Sequence, residues 1–247
     1  MRRALGAGLA GCALACALVA ATLAPAEPVA RPAAASEVIG RSAGDRPIRA
    51  RRIGDPNGEH AVLIVGVIHG NEKAGLRVVD RIAASPPALT GAQLWLITTV
   101  NPDGQRHNTR KNGRAVDLNR NFPFRWRPGG KSKGSPFYPG PKPASEPETK
   151  AVMRFVRRIR PDVSIWYHQD WNAVLACRGR PEAGAEYARL AGMRLSCRGN
   201  RLHGTVVSWE QHAIRGAEAF VVELPSRVNA GMVSRHANAS IELARGG

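Results

Sequence analysis

Acidic residues are scarce in this chain: 19 Asp and Glu stand against 36 Lys and Arg, a formal charge of +17. Aromatics are few as well, at 5% of residues. So basic a composition raises nucleic acid as a partner, yet no helix-turn-helix, zinc-finger or RNA-binding signature is present. No nucleic-acid partner is therefore expected, and the field suits a polyanionic cell envelope or an acidic substrate instead. Cysteine is confined to four positions. Cys12 and Cys16 fall inside an N-terminal leader, which leaves Cys177 and Cys197 as an even pair. In an exported protein such a pair is a disulfide candidate. No internal repeat is visible, and no membrane span is expected once the leader is removed.

The leader itself is legible. Arg2 and Arg3 form a charged start, Ala4–Leu23 is small and apolar, and Ala24-Pro25-Ala26 offers an Ala-x-Ala cleavage site. Residues 1–26 therefore read as a signal peptide, and the mature protein as secreted or held in the cell envelope. Leu9-Ala10-Gly11-Cys12 resembles a lipoprotein signal, but the apolar stretch runs on past Cys12. Residues 27–43 are rich in Ala, Pro and Ser and read as a linker. Residues 44–247 are long enough for one domain with a sizeable core.

Within that domain, strand and helix patterns alternate. Ala61–Ile68 and Leu94–Thr99 are apolar runs suited to central strands. Glu72–Ala84 carries apolar residues at helical spacing between them. Residues 123–144 are proline- and glycine-rich and read as a long irregular loop. Ser145 and Glu148 have the spacing of a capping box ahead of a helix with Val152, Phe155, Val156 and Ile159 on one face. Val163–His168, a helix over Ala185–Arg194, a strand over Ala219–Leu224 and a helix over Asn229–Ala244 complete the pattern. Strands alternating with helices predict an α/β fold with a mostly parallel sheet.

Polar residues stand just past the ends of these apolar runs. His-Gly-Asn-Glu follows at 69–72, Asn-Pro-Asp-Gly at 101–104, His168 ends another run, and Glu223 ends the last. In open α/β sheets, ligands bind at the carboxyl ends of strands. His69 and Glu72, three apart at a strand-to-helix junction, can converge on one ion, and His168 can supply a third ligand from a neighbouring strand. Two His and one Glu form a catalytic zinc set that keeps a position open.

These segments carry a resemblance. With Val-Asp-Leu-Asn-Arg-Asn-Phe-Pro at 116–123, Ser-Glu-Pro-Glu-Thr at 145–149 and Glu-Leu-Pro at 223–225, the chain resembles the zinc carboxypeptidase family, in its bacterial murein peptide amidase branch. The resemblance implies an α/β/α sandwich with a mixed, mostly parallel eight-stranded sheet. It implies one Zn²⁺ per chain on His69, Glu72 and His168, with Glu223 as general base toward the attacking water. It assigns Arg110 to the scissile carbonyl, and Asn119 and Arg120 to the substrate's free carboxylate, a task that suits a planar guanidinium. The implied activity is hydrolysis of an amide bond near a free carboxylate in cell-wall peptides, such as γ-D-glutamyl–diaminopimelate. One departure stands out. The tyrosine that many members place before the catalytic glutamate strand has no counterpart, since residues 197–223 contain no tyrosine. General metallocarboxypeptidase action on peptides, deacylation of N-acyl amino acids, and a non-catalytic basic wall-binding module are the alternatives.

Overall fold

A computed structural model describes residues 35–128, 132–176, 182–197 and 202–246. These belong to one unit, Arg31–Gly247. The expected signal peptide falls on residues 1–26, outside the described residues. The strands are β1 (Ala35–Arg41), β2 (Pro47–Gly54), β3 (His60–Val65), β4 (Ala92–Ile97), β5 (Val163–Leu175), β6 (Arg194–Ser196) and β7 (Glu218–Pro225). The helices are α1 (Ala74–Ala84), α2 (Pro102–His107), α3 (Pro147–Ile159), α4 (Glu182–Ala191), α5 (Val206–Ala213) and α6 (Ala230–Arg245). Among the described residues, no helix is long and apolar enough to cross a membrane.

The sheet runs β1-β2-β4-β3-β5-β6, with β7 also paired to β5. It is mixed and mostly parallel: β1–β2 and β2–β4 are antiparallel, while β3–β4, β3–β5, β5–β6 and β5–β7 are parallel. It holds seven strands among the described residues rather than the expected eight. Residues 35–41, inside the stretch read as a linker, form the edge strand β1.

Alternation along β3 explains the layers. Val62 and Ile64 point into one core with Val78, Val79 and Ile82 of α1, Tyr187 of α4 and Val233 and Leu243 of α6. Leu63 and Val65 point into the other, with Val152, Phe155 and Val156 of α3 and Trp209 of α5. Helices thus cover both faces, the arrangement that buried parallel strands require.

Several ends differ from the sequence reading, each for a local reason. β3 stops at Val65, and Val67–Glu72 forms the turn that carries His69. The helix after it opens at Ala74, where Gln169 Oε1 accepts the Ala74 N–H at 2.8 Å. Ser145 does not cap α3. Glu146 is the N-cap residue without a side-chain cap bond, and its own N–H goes to Asn121 Oδ1 at 3.2 Å. α6 begins as expected, with Asn229 Oδ1 accepting the Met232 N–H at 2.9 Å. β5 runs well beyond His168: its register with β7 climbs from Val163–Glu218 to His168–Glu223, breaks at 170–172, then returns through Ala173–Glu223 to Leu175–Val221.

Cys197 is disulfide-bonded. Cys177, its expected partner, lies outside the described residues.

Candidate active site

The turn after β3 is held in place from α2. Asn101 caps α2 through the Gly104 N–H at 2.9 Å, and its Nδ2 donates to Ile68 O at 3.0 Å and Arg110 O at 3.3 Å. One side chain therefore ties the His69 turn to the segment carrying Arg110. Gly70 lets the two pack, since a Cβ there would lie 1.9 Å from the Gly104 carbonyl carbon. The Ser-Glu-Pro-Glu motif anchors the same segment from below: Asn112 Nδ2 donates to Glu146 Oε2 at 2.8 Å and Glu148 Oε2 at 3.2 Å.

The strand ends and these segments close around a cavity of about 350 Å³. His69, Glu72, His168, Glu223, Arg110, Asn119 and Arg120 all line it, so the residues singled out by sequence are brought together. His69, Glu72 and His168 are buried, and each offers one ligand atom within 4.8 Å of the others. His69 Nδ1 lies 2.8 Å from Glu72 Oε1, His168 Nδ1 lies 2.8 Å from Glu72 Oε2, and the two ring nitrogens are 3.1 Å apart. Three lone-pair donors facing one another at such spacing fit a zinc ion, both in type and in convergence.

The outer nitrogens have partners too. His69 Nε2 sits 3.1 Å from Asp117 Oδ1, which fixes the ring with Nδ1 inward. Asn119 Oδ1 accepts the Val206 N–H at 3.0 Å, and its Nδ2 lies 3.3 Å from His168 Nε2. Asn119 thus braces His168 from the cavity wall as well as lining it. Arg110 donates to Asp117 Oδ2 from Nε at 3.1 Å and to Glu72 Oε1 from Nη1 at 3.1 Å. Arg120 donates to Asn119 O at 2.6 Å.

Burial sets the ionisation. It works to raise the Glu72 carboxyl, but hydrogen bonds from His168 and His69 hold it well below the usual carboxylate range. Burial likewise opposes charge on Asp117, and His69 with Arg110 pulls it far down. Burial would lower His69, yet Asp117 and Glu72 leave it raised; at His168 burial outweighs Glu72 and the ring is lowered. Glu223 differs. Burial, then the charge of Glu72, pushes it up to about 7 against a backbone hydrogen bond from Trp171. Among the described residues its buried Oε2 has no hydrogen-bond partner.

Sequence reading missed three contributors. Asp117 lay inside the Asp-Leu-Asn-Arg motif, but nothing in the pattern separates a ligand from its support. Phe137 and Trp171, both exposed and both lining the cavity, come from segments without periodicity.

Residues 30–179 match the family model described as zinc carboxypeptidase. The chain is 32% identical over 126 residues to murein peptide amidase A of Escherichia coli K12, covering 47% of this chain and 50% of the relative. It is 30% identical over 145 residues to carboxypeptidase SOL1 of Arabidopsis thaliana, covering 53% and 28%. It spans half or less of the length of these curated relatives. Among solved structures, the murein-tripeptide amidase of Escherichia coli O157 superimposes with a TM-score of 0.72 at 25% identity, over 88% of this chain and 94% of that one. Carboxypeptidase A of Helicoverpa armigera gives 0.71 at 17% identity, over 87% and 69%. With a buried His-Glu-His cluster, a carboxylate at the adjacent strand end and the matching family model, this chain belongs to the zinc carboxypeptidase family.

Proposed function

We propose that this enzyme is exported and hydrolyses an amide bond beside a free carboxylate in cell-wall peptides. The observation that carries the reading is the cavity wall: Arg110 and Arg120 line the same space as the His-Glu-His cluster and Glu223. Two guanidiniums beside a hydrolytic centre suit a substrate that is anionic next to its scissile bond. The similarity to murein amidases supports cell-wall peptides as the class, and the N-terminal leader supports export.

His69, Glu72 and His168 would hold the zinc ion, which when bound supplies Lewis acidity and makes water more acidic. Glu223 is the base. Its carboxylate takes a proton from the attacking water as the new C–O bond forms. It returns that proton to the amine nitrogen as the C–N bond breaks, leaving a carboxylic acid and a free amine. Arg110 faces the carbonyl oxygen where negative charge gathers. Arg120 holds the free carboxylate through its planar fork, and Asp117 keeps His69 and Arg110 aimed.

The test compares kcat/KM on matched peptides ending in a free acid or an amide, alongside mass spectrometry of muropeptides incubated with the mature protein. Wild type should prefer the acid by roughly 30-fold or more, the cost of losing a charge-assisted pair from a buried site. Arg120→Ala should lose most of that preference. Equal rates on acid and amide by wild type would place deacylation or internal cleavage ahead.

A further inference from the structure

Phe137 is an exposed aromatic on a firmly anchored backbone. It is 41% exposed, yet it lies in a segment pinned on both sides. The Phe137 N–H donates to Ser135 Oγ at 3.2 Å, and Lys111 Nζ donates to Lys133 O at 2.8 Å. Tyr138 O accepts the Asp117 N–H at 2.8 Å. Pro139 O accepts from Asn121 Nδ2 at 2.7 Å and Trp126 Nε1 at 3.2 Å. Its neighbour is thus tied to Asp117, the residue that orients both His69 and Arg110.

Among the described residues the ring has two cationic neighbours. Arg110 Cζ is 5.2 Å and Arg120 Cζ 5.6 Å from its centroid. Two like-charged guanidiniums on one wall repel each other, and an aromatic face carries negative potential that attracts both. Phe137 also lines the cavity with them.

We propose that Phe137 is the positioning residue for the carboxylate reader: its ring holds Arg110 and Arg120 side by side on the wall that faces the anionic half of the substrate. This rests on the reading of the substrate given above. It also gives the aromatic at the mouth a task in a chain whose residues 197–223 contain no tyrosine.

Ring charge can be varied at nearly constant volume by installing mono-, di- and trifluorophenylalanine at position 137. Each fluorine should narrow the acid-over-amide preference, with a total loss of roughly five- to thirty-fold for the trifluoro ring, the size of two modest cation–π contacts. Zinc content should stay constant throughout. Phe137→Leu should match the trifluoro protein, and Phe137→Trp should restore the preference. A flat fluorine series, or Phe137→Leu behaving as wild type, overturns the proposal, because a purely packing role would not follow ring charge. A second readout needs no turnover. In the NMR spectrum of the holoenzyme, the Arg110 and Arg120 side-chain protons should carry upfield ring-current shifts that vanish in Phe137→Leu. Their absence in wild type also overturns it. If wild type treats acid and amide alike, the substrate reading falls and the ring-current measurement decides the role of Phe137.

Discussion

At the scale of single residues, Asp117 touches the His-Glu-His cluster and the arginine wall at once. Its two oxygens divide between His69 Nε2 and the Arg110 guanidinium. Asp117→Asn keeps the shape but removes the charge, and its amide nitrogen opposes one of two donors. Zinc affinity, measured by competition with a chelator, should fall about 10- to 100-fold, the usual cost of losing such a support. Unchanged affinity would show that His69 needs no outside partner. Glu223→Gln makes a contrasting case: a folded, zinc-loaded protein with turnover reduced by at least about 100-fold, checked by elemental analysis and a single peptide assay. Residues of this kind were legible in sequence only where chemistry demands a rare type at a strand end. His69, Glu72, His168 and Glu223 meet that condition. Asn119 was legible as a cavity residue, while its hold on Val206 and His168 depends on the distant α5 and could not be read locally.

At the scale of elements, the apolar runs announced β3, β4, β5 and β7 because buried parallel strands leave no room for polar residues. β1 was hidden for the opposite reason. It is the edge strand beside β2, and Ala35–Arg41 is exposed along much of its length, so its short polar sequence resembles the linker it was read as. The misassigned cap of α3 has a similar origin, since Asn121, far along the chain, donates to the Ser145 hydroxyl at 2.9 Å, and that hydroxyl donates to Glu146 Oε1 at 2.7 Å instead of capping the helix. α5 reports on itself through pH. Its Glu210 is fully buried, accepts from Trp166 Nε1 at 3.1 Å and pairs with Ser164, and burial pushes it up to about 7. A carboxyl raised by folding stabilises the fold fully below its unfolded pKa of about 4.5, and that contribution is lost as pH rises through about 7. Glu210→Gln copies the neutral form, accepting from Trp166 and donating to Ser164. It should match wild type near pH 5 and exceed it at pH 8 by about 2–3 kcal/mol, read from urea unfolding at the two pH values. A difference independent of pH would mean that Glu210 folds with its charge intact.

At the scale of the whole molecule, the charge of +17 acts before any contact is made. Attraction to an anionic polymer works over about 10 Å at 0.1 M salt and about 3 Å at 1 M. Retention of the protein on a polyanionic wall preparation should therefore be strong at 50 mM NaCl and lost well below 1 M. Removing zinc should leave it unchanged, since the field belongs to the surface. Salt-independent retention would point to a specific docking site instead.

The cavity has two makers. Strands β5 and β7 of the parallel core supply His168 and Glu223, while Arg110, Asp117, Asn119, Arg120 and Phe137 all lie between α2 and α3, in a segment whose described residues add no strand to the sheet. Side-chain contacts join the two parts, among them Asp117 to His69, Arg110 to Glu72 and Asn119 to His168. Substrate choice and hydrolysis are therefore not separately heritable at Asp117, Arg110 or Asn119, where one exchange reaches the His-Glu-His cluster and the cavity wall together.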